Sequence, residues 1–346
     1  MGIKSNYNKF VKDVTKHDTV FNTVHLSEFM FDKIAIDTSI YLYKYKAVFG
    51  DKWISGFAKL IKCLRDNSVH CVFVFDGPAP VEKRGEQLKR RESKNKLIEQ
   101  IALFDQDIAG YRRDGSVGEH LTRLFKDVDG VVAADEIEER MVKKRRQVIN
   151  ILPTDMSDIK ELLGVYNVPY YDAPGEAEKY CAKLCMDGKV QAVLSDDTDI
   201  IAYGSPVCLS KIDTLNSTVC KLEYTNLLAS LEFDKNQHLD HCIMCGTDYN
   251  DNVKGIGSHI SYKLIKTHGS IENVALQVAA VSNLLPDVGW IRGIFTTFDD
   301  ISDVSPPYCG KADVNGIRSV MRSKGVFVND LIMDEYVPVA IIVKII

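Results

Sequence analysis

Three short apolar runs in this chain each give way to carboxylates. FDKIAID closes on Asp37, VHCVFVFD closes on Asp76, and KVQAVLS leads straight into Asp197 and Asp199 of SDDTD. Runs of this length bounded by turn residues read as buried strands. Between the first two lies WISGFAKLIKCLRDN, where Ile54, Phe57, Leu60, Ile61 and Leu64 repeat at the helical period. Strand, helix and strand in that order predict a parallel sheet. In open sheets of this type ligands bind beyond the carboxyl ends of the strands, which is where these acids fall.

Three more acids join them: Glu176 and Glu178 in APGEAE, and Asp248 in GTDYN. Residues two apart on a helix point about 200° away from each other, so Glu176 and Glu178 converge only if the first lies at or before the helix start. Pro174 places the start there. The same spacing at Asp197 and Asp199 works in extended or loop backbone, where i and i+2 share a face. Taken singly, each acid reads equally well as an N-cap or turn residue. Seven in these settings are harder to place that way. A cluster of that size needs a counter-charge to stay ionised, and hard carboxylate oxygens suit Mg²⁺ or Mn²⁺.

A second motif, VKGIGSHISYKLIKTHGS, sets Gly255 and Gly257 ahead of an amphipathic helix with Ile260, Leu264 and Ile265 inward. Such a turn lets backbone N–H groups approach a phosphate. A plain helix–turn–helix has the same pattern. The net charge of −5 argues against a uniformly basic nucleic-acid binder but leaves room for local basic patches. Residues 81–96 hold seven basic and three acidic side chains, which alone read as a solvated helix face. Residues 97–150 are helical in pattern, broken at DGSVG and DVDG, and end in the basic cluster Lys143 to Arg146. They are expected to stand off the sheet as an insertion.

The nine cysteines form no framework and suggest a reducing compartment. Cys242 and Cys245 lack the second pair that zinc requires, so buried thiols are expected. No targeting segment is visible: Asn6 stands where N-myristoylation wants Ser or Thr, and the terminal YVPVAIIVKII is too short to span a bilayer and contains Lys344. A soluble intracellular protein is expected.

Together MGIK, IAIDTSIYLY, VFVFDGPAP, DAPGEAEKYCA, SDDTDIIAYGSP and CGTDYNDNVKGIG resemble, in order and approximate spacing, the flap endonuclease branch of the XPG structure-specific 5′-nuclease family. The likeness runs from residue 1 to about residue 335. It implies an α/β fold with a twisted, mostly parallel central sheet, helices on both faces, a helical arch and a helix–three-turn–helix element. The matching boundaries are a nuclease region at 1–96, the arch at 97–155, an internal nuclease region at 156–240, the DNA-binding element at 241–275 and a C-terminal helical region at 276–346.

The resemblance implies two-metal hydrolysis of DNA with a 5′ flap or junction, as endonuclease or 5′–3′ exonuclease in replication, repair or recombination. All seven acids match the family's metal-site positions. It gives Lys83 and Arg90 the role of the catalytic basic pair at the base of the arch. Gly2, freed by removal of Met1, and Lys59 would hold DNA near the scissile phosphate, and Tyr43 would stack on a terminal base. Gly255 and Gly257 would grip the duplex backbone beside a K⁺. A monomer is expected, in nucleus or cytoplasm, or at a viral replication site if the source is a large DNA virus.

The departures are Asp196 where the family usually has Glu, Gly175 in place of Ser, and a span from Arg90 to Tyr170 longer than in compact flap endonucleases. The tail also lacks a sliding-clamp-binding motif. An RNA-degrading relative and a catalytically silent DNA-binding scaffold stand as alternatives, and the intact acids weigh against the second.

Overall fold

The computed structural model describes residues 2–15, 20–116, 118–124 and 134–327. Seven strands form one sheet: β1 (Phe21–His25), β2 (Lys33–Asp37), β3 (His70–Phe75), β4 (Tyr170–Asp172), β5 (Ala192–Leu194), β6 (Val207–Asp213) and β7 (Thr218–Glu223). Their order across the sheet is β1-β7-β6-β5-β2-β3-β4. β6, β5, β2, β3 and β4 run parallel, and Ile36 of β2 pairs with Phe73 on one side and Leu194 on the other. β7 and β1 close one edge antiparallel. The sheet is thus mostly parallel, with a mixed edge.

The central strands are buried on both faces, which is why they read as unbroken apolar runs. Ala35, Val74 and Val193 pack on one side with Phe10, Cys181, Ile243 and Phe295. Ile34, Ile36, Phe73 and Leu194 pack on the other with Leu42, Phe57, Leu162 and Met321. Alternation along each strand sends successive side chains to these two cores. Helices Thr38–Phe49, Ile54–Asp66, Pro153–Val165 and Val314–Ser323 cover the second face. Tyr7–Val14, Ala177–Met186, Lys235–Cys245, Ser258–His268 and Leu285–Thr296 build the first.

The junction expected between the nuclease region and the insertion is continuous helix. One helix runs from Arg84 to Asp114, about 46 Å at the α-helical rise, so the boundary at 96/97 falls inside a single element. Phe104 and Ile108 on this helix pack with Leu121 and Met141 into a core of their own, separate from the two sheet cores. Its first half carries the basic run and is largely exposed. The DVDG break, the terminal YVPVAIIVKII and Met1 lie outside the described residues. Among the described residues no helix is long and apolar enough to cross a membrane.

Candidate active site

Four neighbouring parallel strands deliver six of the seven acids to one edge. Asp37 ends β2 and caps the helix Thr38–Phe49, accepting from the Ser39 N–H at 3.1 Å. Asp76 follows β3 and accepts from the Ala177 N–H at 2.8 Å. β4 leads to Glu176, the N-cap of the helix Ala177–Met186, with Glu178 in its first turn. Placing Glu176 just outside the helix is what lets the two glutamates converge. Beyond β5, the Ser195 hydroxyl donates to Asp37 at 3.2 Å, and Asp197 accepts from the Asp199 N–H at 3.1 Å. Asp248 arrives separately, from the loop after the helix Lys235–Cys245.

The acids act on one another. Burial, with Asp76 and Asp197 as like-charged neighbours, raises the Asp37 carboxyl to about 7. Burial raises Glu178 well above the carboxylate range, with Asp197 next in effect. Asp199 is raised likewise by burial and then by Asp197 and Asp248. Burial also raises Asp197, against the lowering effect of its bond from the Asp199 backbone.

Two cations from the start of the insertion enter this cluster. The Lys83 ammonium pairs with Glu176, with Asp248 at 3.2 Å and with Glu178 at 3.3 Å. Burial pulls its pKa down, but Glu178 and Glu176 outweigh that and hold it above the ordinary lysine value. Arg90 donates to both oxygens of Asp248, at 2.8 and 2.9 Å. Both oxygens of Asp199 are buried without a hydrogen-bond partner. Among the described residues no three acidic, histidine or cysteine side chains form a ready coordination shell. An all-oxygen donor set with one orphaned buried carboxylate fits a hard divalent cation.

Gly2 lies against the same acids. Its φ is +88°, and a Cβ there would stand 2.1 Å from Asp197 Oδ1 and 2.6 Å from the Asp199 nitrogen. The next N–H, of Ile3, donates to the Thr198 hydroxyl at 2.8 Å, and that of Lys4 to the Gly246 carbonyl at 2.8 Å. The N-terminal strand of chain is therefore stitched between the two acid loops. Tyr43 is 44% exposed on the helix Thr38–Phe49, so it is no core tyrosine.

Gly255 and Gly257 differ from each other. Gly255 has φ +80°, whereas Gly257 is extended and caps the helix Ser258–His268, and a Cβ at either would meet nothing within 4 Å. Lys59 is not brought to the acids. Its ammonium lies 5.3 Å from the Phe49 ring centroid, at the far end of the helix that Asp37 caps, about 18 Å along it. Asp196 is engaged elsewhere, by the Lys44 ammonium at 2.6 Å and the Lys211 N–H at 2.7 Å. Cys242 and Cys245 are buried free thiols beside His238 and His241.

Several partners of the acids were not singled out in the sequence. They include Ser39, Ser195, and the tyrosines Tyr203 and Tyr249, both of which donate to Glu176. Tyr249 adjoins Asp248 in GTDYN, a position that could have drawn notice; Tyr203 had no local signal.

Comparison with known proteins places this geometry. The XPG N-terminal domain matches residues 1–97 and the XPG I-region matches residues 167–248. A probable RAD2-like endonuclease of Invertebrate iridescent virus 6 is 32% identical over 310 residues, covering 79% of this chain and 73% of the relative. Flap endonuclease 1 of Meyerozyma guilliermondii is 30% identical over 292 residues, covering 79% and 70%. Among solved structures, the catalytic core of Rad2 in complex with DNA substrate superposes with a TM-score of 0.64 at 21% identity, covering 93% of this chain and 98% of that one. Flap endonuclease-1 from Methanococcus jannaschii superposes with a TM-score of 0.59 at 21% identity, covering 90% and 92%. The matched N-terminal and I-regions are the two segments that carry the acids, and by them and by its viral and fungal relatives the chain belongs to the flap endonuclease branch of the XPG nuclease family.

Proposed function

We propose that this chain is a structure-specific nuclease that hydrolyses DNA phosphodiesters where single strand meets duplex, as a 5′-flap endonuclease and 5′–3′ exonuclease in replication, repair or recombination. The observation that supports this most is the insertion of Lys83 among Glu176, Glu178 and Asp248 at the carboxyl edge of a parallel sheet. A basic pair held over a carboxylate cluster suits phosphoryl chemistry, because the cations lie where charge develops.

In this reading Asp37, Asp76, Glu176, Glu178, Asp197, Asp199 and Asp248 hold two Mg²⁺ ions, directly or through water, with Mn²⁺ able to substitute. Bound there, such cations activate a water and neutralise charge on the leaving oxygen. Lys83 and Arg90, paired with the acids in this structure, have donors to give to a phosphate oxygen once the acids are otherwise neutralised. The backbone at Gly2 holds the strand next to the acids. Exposed Tyr43 offers a stacking face to a terminal base. The N–H groups around Gly255 and Gly257 open the helix Ser258–His268 and grip a duplex phosphate, with K⁺ as the accompanying cation.

The test is cleavage of an end-labelled 5′-flap DNA with Mg²⁺, beside a matched RNA flap and a four-way junction. Incision at the flap junction that EDTA and Asp197→Ala both abolish is the expected result. Tight binding without incision would leave a DNA-binding scaffold. Faster cleavage of the RNA would move the substrate class to RNA.

A further inference from the structure

Glu176 is held differently from the other acids, and from outside the sheet. Asp37 and Asp76 each accept from a backbone N–H, whereas Glu176 caps its helix without a side-chain capping bond. Its Oε1 faces Lys83. Its Oε2 accepts from the hydroxyls of Tyr203, at 2.9 Å, and Tyr249, and those hydroxyls lie 3.1 Å apart. Two neutral donors thus converge on one oxygen and leave the other directed at the cluster.

The tyrosines come from different parts of the chain and share one support. Tyr203 follows the short helix Asp199–Ala202 and is 3% exposed; Tyr249 lies in the loop that carries Asp248. Both rings pack on Phe295 of the helix Leu285–Thr296, with centroids at 4.9 and 5.5 Å. A phenol ordinarily titrates near pH 10, so both hydroxyls carry the proton they donate at neutral pH. Phe295 lies outside both matched family regions.

We propose that Tyr203 and Tyr249 are positioning residues that fix the Oε2 side of Glu176 and thereby set the affinity of the acid cluster for divalent cations. The proposal rests on the nuclease reading above for its biological meaning, but cation affinity can be measured without DNA. Donors to a ligating carboxylate commonly contribute about 10- to 100-fold in metal affinity or activity, because they remove its freedom to turn away. Lys83 cannot do this alone, since it contacts the oxygen that a cation would need.

The experiment is calorimetric titration of Mn²⁺ into metal-free wild type, Tyr203→Phe, Tyr249→Phe and the double variant, alongside thermal melts. The expected result is a dissociation constant raised several-fold in each single variant and about 10- to 100-fold in the double variant. Single-turnover cleavage should then need more Mg²⁺ to reach half its maximum and recover at saturating Mg²⁺. If the double variant melts early, Phe295→Leu serves as the control: it disturbs the shared packing and leaves both hydroxyls, so equal loss of affinity there would overturn the hydroxyl role. A background of Glu176→Gln gives the second control. The tyrosine changes should add little to its cation affinity, and a full additional loss would show that they act elsewhere. An unchanged dissociation constant in a stably folded double variant overturns the proposal. Wild type that binds Mn²⁺ but leaves flap DNA intact removes the nuclease reading and leaves this measurement standing.

Discussion

Arg90 donates to both carboxylate oxygens of Asp248, tying the second turn of the helix Arg84–Asp114 to the acid cluster. The tie continues backwards. Glu86 accepts from Arg90 Nε at 3.2 Å and from the Lys4 ammonium at 3.3 Å. The insertion, the N-terminal segment and the last of the acids are thus joined by one line of charged contacts. A helix anchored in this way places its base, and the basic side chains on it, at the site whatever its far end does.

Lys83→Ala and Arg90→Ala are therefore expected to slow the chemical step more than they weaken binding. Loss of a positioned charge at a developing oxyanion typically costs about 10²- to 10³-fold in rate. A residue that only neutralised a DNA phosphate would instead lower affinity and reduce the salt slope by about 0.9 per contact. Single-turnover rates at saturating enzyme, beside dissociation constants across a salt series, separate the two. A pure affinity loss moves both residues into the phosphate-binding class.

Asp197→Ala should abolish cleavage and leave flap-DNA binding largely intact. Asp197 acts on Asp37, Glu178 and Asp199, three of the six other acids. The expected drop in single-turnover rate is on the order of 10² to 10⁴. Gly2→Ala should lower the rate by a different route, since its Cβ would stand 2.1 Å from Asp197 Oδ1 in a positive-φ backbone. Rates within about threefold of wild type for Asp197→Ala would remove it from the proposed metal site.

Six of the acids were legible because each lies at or just beyond a strand end or a helix start, where sequence pattern and site position coincide; Asp248, in the loop after the helix Lys235–Cys245, has no such marker. Glu176 is the clearest case: Pro174 marked the turn, and the helix does begin just after the first glutamate. What stayed hidden depended on distant packing. β1, β6 and β7 were not anticipated, since their residues are half-exposed and β6 is interrupted at Lys211, with φ +52°. The tyrosine pair on Glu176 needs three segments brought together by Phe295, which no local pattern reports. The place of Lys59 also depends on packing. The connection between its helix and the preceding one is a single turn, Gly50–Lys52, and this sets Lys59 beside Phe49 and away from Asp37.

The buried histidine behind the site predicts a pH dependence. His238 is bonded to the Tyr7 hydroxyl at 2.6 Å and the Tyr224 hydroxyl at 3.1 Å, and burial lowers its pKa to about 3. An unfolded histidine titrates near pH 6.5. Above that value both states are neutral and pH has no effect through this group. Below it the unfolded chain takes a proton that the folded chain refuses, so stability falls as pH falls. The slope is about 1.4 kcal/mol per pH unit, reaching about 4–5 kcal/mol by pH 3. Urea unfolding of wild type and His238→Gln between about pH 7 and pH 4 isolates it from the carboxylates by difference. Parallel stability curves for the two proteins would remove the assignment.

The glycine hairpin gives the last prediction, and the two glycines divide it. Val at Gly255 meets a φ of +80°, which a β-branched residue tolerates poorly, so Gly255→Val should lower melting temperature as well as duplex binding. Gly257 is extended and its Cβ position is open, so Gly257→Val carries no such backbone strain. Its effect should fall on approach alone: a side chain at the N-terminus of the helix Ser258–His268 keeps a phosphate from the exposed N–H groups. Gly257→Val is therefore expected to bind duplex DNA more weakly while melting as wild type does, and to cleave bound flap at a nearly normal single-turnover rate, because the acids lie on other loops. If the glycines only turned one helix into the next, stability and every activity would fall together in both variants. Circular-dichroism melts beside binding to duplex and to single-stranded DNA distinguish these cases. A Gly257→Val protein with unchanged duplex affinity would take the hairpin out of the DNA-binding surface.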